Sequence, residues 1–425
     1  MIPFMFILFL LLLVLSTPIS IVILSVTGAT LSIFLGVPLQ ALVQQLFNGM
    51  DNFVLLAIPF FILAGSIMAE GNISKYLIDV MNLLVGRFRG GLAIASILGC
   101  IFFAAISGSS PATVIAIGSI MIPALMKSGY DEKFSIGLLT SSGSLGILIP
   151  PSIPMILYCL VMNVSVGRVF MAGFLPGLVI GGVLIFYSYM LARKHNWYSE
   201  HHYNLKEALS LVKKASWGLV MPVIVLGGIY SGIFTPTEAA AVSVVYAVIV
   251  ETFIYKGLTW AKFNKTVREA TVLSASLLFI IACAMTFIWL LTREQLPVRA
   301  AGFIAEHIGN KYLFLLAINV LLLCIGCVMD IVSAILVLSP ILCVTLQQFN
   351  INMIHFGIMM IVNVELGFLT FPFGLNLFVA MGMTEKTLTE VAKAVMPFMA
   401  LLVLCLIIIT YVPWVSLALP NWLMP

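Results

Sequence analysis

Ser144-Leu-Gly-Ile-Leu-Ile-Pro-Pro151 and Glu365-Leu-Gly-Phe-Leu-Thr-Phe-Pro372 are two apolar stretches, each interrupted by glycine and proline. In the first, Gly146 removes the side chain that would stiffen a helix, and Pro150, Pro151 and Pro154 lack the amide hydrogen that would continue its ladder. Each stretch is therefore expected to break a helix. In hydrocarbon a broken helix is tolerated only where its freed amides and carbonyls are buried in protein or line a cavity, so a pair of breaks is the expected mark of a transport site built from two half-sites. Between the copies, Gly146 matches Gly367 and Pro151 matches Pro372, and these carry the signal, because the leucine matches mean little in apolar sequence.

Composition agrees with a membrane setting. Of 425 residues, 62% are hydrophobic and only 8% charged, with a mean hydropathy of +1.19; an all-α polytopic membrane protein in a lipid bilayer is expected. The net charge of +4 is small and the basic residues fall between apolar runs, so no nucleic-acid surface follows. All seven cysteines lie in apolar runs, which argues against a disulfide framework, and Cys324-x-x-Cys327 has neither a second pair nor a nearby histidine to make a metal or redox site.

Working outward from the breaks, the two halves repeat one order. The first half, residues 1–192, has apolar runs at Phe4 to Leu15, Ile19 to Val37 and Phe53 to Ala69. An amphipathic arm, Asn72 to Phe88, then lies along the interface in a position suited to a hinge. Two apolar runs over 92–126, each shorter than the ~20 residues of a spanning helix, flank the polar centre Ser107-Gly-Ser-Ser-Pro-Ala-Thr113 as a re-entrant hairpin. The broken helix over 134–164 follows, then a span from Val169 to Leu191. A basic linker, 193–216, is assigned to the cytoplasm by its lysines and arginines.

The second half, 217–425, repeats the order with spans to Leu291, including Trp217 to Ile233 and Ala239 to Tyr255. Its basic stretch Lys256 to Arg268 reads as interfacial, and an arm runs to Ile308. A hairpin follows over 312–346 around Gly326-Cys-Val-Met-Asp330, then a broken helix over 355–383 and a last span to Leu419. The loop after the first hairpin carries Lys127 and Lys133, whereas the loop from Gln347 to His355 has no lysine or arginine, so the halves are expected to be inverted repeats.

A broken helix presents unpaired carbonyls at the end of its first part and unpaired amides at the start of its second, so one side attracts cations and the other anions. The expected sodium ligands of the first half are carbonyls near Gly146, Ile149 and Pro150 with hydroxyls or carbonyls of Ser107, Ser109 and Ser110. Those of the second are Gly367, the Thr370 hydroxyl and carbonyls near Gly326. The competing reading is that the glycines permit close helix packing and the serines bond back to their own helices.

Charges inside apolar sequence point to function by default. Arg293 can hold a substrate carboxylate in a bidentate pair or snorkel from a helix end. Asp330 can bind a cation, orient a substrate or cap the second hairpin helix. Glu365 and Glu238 are weaker candidates, Glu238 having the look of a helix cap after Thr235-Pro-Thr237. No His-Glu-x-x-His and no phosphate-binding Gly-x-x-x-x-Gly-Lys is present, and all five histidines fall in loops or at their edges, which disfavours an enzyme. An ion channel or a stand-alone antiporter is the competing class.

Gly228-Ile-Tyr-Ser-Gly-Ile-Phe-Thr-Pro-Thr-Glu-Ala-Ala-Ala-Val242 closely resembles the signature of the large membrane subunit of TRAP transporters, the tripartite ATP-independent periplasmic transporters. Ile58-Pro-Phe-Phe-Ile-Leu-Ala-Gly65 and Ser107-Gly-Ser-Ser-Pro-Ala-Thr113 resemble that family too, and the similarity covers essentially the whole chain. The resemblance implies an elevator-type, sodium-driven importer of organic acids, of the sialic acid or dicarboxylate class, in a bacterial inner membrane. It also implies two partners, a periplasmic substrate-binding protein and a small membrane subunit of four helices.

Overall fold

The computed structural model describes residues 1–198, 205–371 and 374–424. Every regular element among them is helical, and eight helical runs are long and apolar enough to cross a membrane. The protein is a multi-pass, all-α membrane protein.

The chain opens with α1 (Ile2–Val14), α2 (Ile19–Phe34) and α3 (Leu39–Met50). Sequence reading did not anticipate α3, because it is short and only Leu42 is buried on it. After a 3-10 turn at Phe53–Leu56 come α4 (Ala57–Glu70) and the amphipathic arm α5 (Ile73–Val85). The first hairpin is α6 (Gly91–Ser107) and α7 (Ser110–Lys127), and Gly108 turns its tip at φ +60°, a left-handed conformation that favours glycine. At 17 residues α6 spans about 25 Å, short of a ~30 Å hydrocarbon core. By contrast α7 is just long enough to cross, so the re-entrant reading rests on the tip being packed inside the protein.

The first break is as expected. α8 (Glu132–Ser142) tightens into a 3-10 turn at Gly143–Ile147, the chain passes through a cis Pro150–Pro151 bond, and α9 (Ile153–Met162) restarts with Ser152 as its cap. α10 (Val166–His195) and α11 (Leu205–Tyr230) extend well into the polar segment read as a linker, so much of 193–216 is helix end, and residues 199–204 lie outside the described ones.

α12 (Pro236–Ile249) starts at a capping box in which Thr235 and Glu238 satisfy each other's backbone amides, as the sequence suggested for Glu238. It ends in a π turn at Val250–Ile254. α13 (Trp260–Arg293) is a single helix of 34 residues. The basic stretch read as interfacial is therefore largely its first turns, since no glycine or proline stands between Trp260 and Arg293 to stop it. Next come the arm α14 (Leu296–His307), the hairpin α15 (Lys311–Gly326) and α16 (Ile331–Gln348), and the broken pair α17 (Met353–Phe368) and α18 (Leu375–Thr384). Pro372 of the second break lies outside the described residues. The last span ends earlier than expected: α19 (Leu388–Tyr411) stops before Pro413, and α20 (Trp414–Leu423) is a separate helix.

Two layers result. α2, α3, α4, α12 and α13 pack on one another as a scaffold, α5 leans on α11 and α6, and α14 leans on α16. The core interlocks the halves: α7 packs on α8 and on α18, while α16 packs on α17 and on α9. Each hairpin thus touches its own break and the second piece of the other.

Candidate functional site

At the first tip, the Ser107 and Thr113 hydroxyls are 3.1 Å apart, and Thr113 Oγ1 donates to the Ser109 carbonyl at 2.8 Å. A Cβ on Gly146 would stand 2.6 Å from Ser109 O and 2.7 Å from Thr113 Oγ1, so only glycine lets the break approach the tip this closely. A Cβ on Gly108 would likewise stand 2.6 Å from Pro151 O, and one on Gly65 would stand 2.9 Å from Ser107 Cα. Ile149 and Pro150 are buried beside them, Ile149 filling the space that Gly177 leaves. The residues expected to form a first half-site, the Ser110 side chain excepted, are therefore brought together.

The second tip meets its own break in the same way. A Cβ on Gly367 would fall 2.2 Å from Gly326 C, and one on Gly326 would fall 3.0 Å from Val364 O. Thr370 closes the end of α17, its amide donating to Gly367 O at 3.0 Å and its hydroxyl to Leu366 O at 2.8 Å. Asn363 Nδ2 donates to Asn319 Oδ1 at 2.6 Å and to Asn319 O at 3.0 Å, fastening α15 to α17.

Ser110 takes a partner other than the one expected, while Asp330 and Arg293 take one of the alternatives the sequence left open for each. The Ser110 hydroxyl is drawn away from the first tip and donates to Glu365 Oε1 at 2.5 Å. Asp330 caps α16, its Oδ2 accepting from Ser333 N at 3.0 Å and its Oδ1 from Ser333 Oγ at 2.5 Å. Arg293 ends α13 at an exposed position, with Nε 3.8 Å from Glu294 Oε1 and its guanidinium over the Trp289 ring at 5.6 Å. Its described contacts join it to neither tip.

What sequence reasoning ranked too low is Glu365, and what it missed is Asn376. Both are fully enclosed, Asn376 at 0% exposure. Asn376 Nδ2 donates to Glu365 Oε1 at 2.9 Å and to Ser110 Oγ at 2.7 Å. A carboxyl within an apolar run was the available signal; Asn376 had none, because only folding brings α18 against α17. His355, read as a helix-edge residue, is buried between the Ser416 hydroxyl at 2.8 Å and the Thr410 carbonyl at 3.2 Å, where it ties α17 to the end of α19 and to α20.

Among the described residues no group of three or more His, Cys, Asp or Glu could hold a metal ion. Carbonyl and hydroxyl oxygens are what the two tips offer, a donor set suited to a hard cation.

The family described as "Tripartite ATP-independent periplasmic transporter, DctM component" matches residues 6–415. The C4-dicarboxylate TRAP transporter large permease protein DctM of Pseudomonas aeruginosa is 45% identical over 401 residues, covering 94% of each chain. The isethionate TRAP transporter permease protein DctMQ of Oleidesulfovibrio alaskensis is 41% identical over 412 residues, which are 97% of this chain and 65% of that longer one. Among solved structures, the YdaH transporter of Alcanivorax borkumensis matches over the full length of both chains with a TM-score of 0.69 at 13% identity, a similarity of fold alone. With two glycine breaks each seated on a hairpin tip and a family match across nearly its whole length, this chain belongs to the DctM family, the large permease component of tripartite ATP-independent periplasmic transporters.

Proposed function

We propose that this permease is a sodium-coupled importer of small organic acids, with C4-dicarboxylates as the favoured class, working by an elevator motion of its core against its scaffold. The observation that carries the sodium reading is the seating of each glycine break on a hairpin tip, Gly146 on Ser109 and Gly367 on Gly326, which gathers backbone carbonyls at two related places. Sodium would be held by carbonyls near Gly146, Ile149 and Pro150 with Ser107 and Ser109, and by carbonyls near Gly326 and Gly367 with the Thr370 hydroxyl. The anionic substrate class is supported by the relatives named for C4-dicarboxylates and for isethionate, and the dicarboxylate preference by the higher identity of the former. Asp330, at the second tip, is proposed to orient the substrate there through a bound cation, because two carboxylates repel, while it caps α16.

The working assembly adds a periplasmic substrate-binding protein and a small membrane subunit, in the bacterial inner membrane, with the two halves inverted. The deciding experiment reconstitutes the permease with the small subunit and candidate binding proteins, then follows uptake of C4-dicarboxylates, keto acids, sialic acid and isethionate with and without a sodium gradient. Uptake of dicarboxylate that needs both the gradient and the binding protein is expected. Uptake unaffected by sodium would overturn the coupling, and preferential uptake of another acid would replace the substrate class.

A further inference from the structure

Where the first arm leaves the scaffold, three lysines from three separate stretches of sequence gather around two tyrosines. Tyr76 of α5 and Tyr255, which follows the π turn after α12, lie ring to ring with centroids 4.8 Å apart. The Tyr255 hydroxyl donates to the Lys214 carbonyl on α11, and the Lys214 ammonium stands over the Tyr76 ring, 5.8 Å from its centroid. Lys75 precedes Tyr76, and Lys256 follows Tyr255 in a left-handed turn at φ +53°. That turn is seated on the arm, since a Cβ on Gly257 would fall 2.6 Å from Asn72 Nδ2. All three lysines are exposed.

Their counter-charge is incomplete. Asp79, one turn on from Lys75, lies within electrostatic reach of Lys75 and Lys214. Other carboxylates of these elements are engaged: Glu251 accepts from the Asn72 and Ile73 amides, Glu70 pairs with Lys262 at 3.7 Å, and Glu269 with Lys265 at 4.0 Å. Glu207 lies two turns from Lys214, about 10 Å along the axis of α11. Like charges held together at a packed joint repel, and an anion between them removes the repulsion.

The joint also stands at the level of lipid headgroups. The runs Lys206–Tyr230 and Pro236–Ile254 are both long and apolar enough to cross a membrane; Lys214 lies in the polar first turns of one and Lys256 just past the end of the other. Trp217, one turn inward from Lys214, and Phe253 are 43% and 71% exposed, and the Tyr246 hydroxyl ties the two helices by donating to the Trp217 carbonyl at 2.6 Å. Ammonium groups above an exposed aromatic wall can meet a phosphodiester and the first methylenes of its acyl chains at once.

We propose that this joint is a binding site for an anionic phospholipid, its phosphodiester held between Lys75, Lys214 and Lys256 and its acyl chains laid along Trp217 and Phe253. A free phosphate would meet the lysines and leave the aromatic wall bare, and a zwitterionic lipid would bring its own cation into the cluster. Bound there, the lipid bridges α5, α11 and the turn after α12, so it braces the scaffold end of the first arm beside the Glu251 contact.

The test needs no transport, so its outcome is independent of the proposed function. The purified full chain is placed in phosphatidylcholine nanodiscs with rising fractions of phosphatidylglycerol carrying brominated acyl chains, and quenching of tryptophan fluorescence is followed. Subtracting the signal of Trp217→Phe isolates Trp217. Saturable quenching is expected at a lower lipid fraction than brominated phosphatidylcholine requires. Lys214→Gln alone should weaken that preference about fivefold, and combined with Lys75→Gln and Lys256→Gln it should abolish it. A control carrying Lys206→Gln, Lys265→Gln and Arg268→Gln loses the same charge from the same membrane face and should keep the preference. All of these residues are exposed, so both variants are expected to fold. Equal loss in the two variants would make the attraction diffuse, and equal quenching by the two brominated lipids would remove the selectivity; either result overturns the proposal. So would displacement of the lipid by inorganic phosphate but not by chloride of equal ionic strength, the mark of a free-phosphate site, or by added small membrane subunit, the mark of a protein interface.

Discussion

In the first half of the core the hairpin tip and the break are enclosed: Ser107, Gly108 and Ser110 are buried, as is every residue from Gly143 to Ile153. In the second half the same elements open outward, with Val328 at the tip 60% exposed and Phe371 beyond the break 53% exposed. The arms differ in the same sense. Glu251, at the π turn after α12, accepts from the amides of Asn72 and Ile73 at 3.0 Å each, so the start of α5 is held by a carboxylate from the scaffold. α14 begins from Gln295 in a left-handed conformation without a side-chain cap and leaves Val298 and Phe303 exposed. One duplicated design therefore has one half tied down and one half loosely held, and the loosely held tip is the one with fewer contacts to break on moving.

The largest contrast should be chemical. With the native cysteines removed, a cysteine at Val328 should react readily with a thiol reagent and one at Ser110 should be nearly inert; equal rates would mean that both tips open alike. Next is the staple on the first arm. Glu251→Ala would strand two helix-starting amides at about 1 to 3 kcal/mol each, a loss to be read as a drop in thermal stability in detergent, whereas Gln295→Ala at the start of the second arm should change little.

The glycine contacts come third. Gly367→Ala would drive a methyl into the Gly326 backbone and Gly146→Ala one into Ser109 O and Thr113, each costing about 1 to 3 kcal/mol, with Gly367 the worse because its obstacle is entirely main chain. Stability with and without sodium would measure both, and a tolerated Gly367→Ala would show that the second half yields at its break as well as at its tip. Removing the Asp330 cap should cost about 1 kcal/mol in Asp330→Ala. The smallest effect is expected from Arg293→Ala, because an exposed ion pair contributes about 0.2 to 1 kcal/mol. A loss of substrate affinity of about tenfold or more in that variant would instead return Arg293 to the substrate site.

Both breaks, both hairpins and the first arm could be read from the chain, since each is signalled locally: glycine and proline end helices, a polar centre between short apolar runs marks a tip, and leucines at helical spacing beside Lys75 and Asp79 mark an amphipathic face. Helix limits were less legible where no such punctuation stands. α13 absorbed a basic stretch because charge alone does not stop a helix, and α19 stopped before Pro413 although the apolar run continues to Leu419.

The sequence by itself determined the membrane class, the duplicated order of elements and the places where the helices break, because hydropathy, proline and glycine act within a few residues of where they stand. Only the tertiary structure decided who meets whom. It turned Ser110 to Glu365 rather than to its own tip, brought Asn376 beside them, gave Glu251 to the start of α5 and left Arg293 outside. The physical reason is that a buried polar group takes whichever partner packing brings within about 3 Å. Here the partners come from residues as far apart as 110 and 376, a juxtaposition that no local pattern encodes.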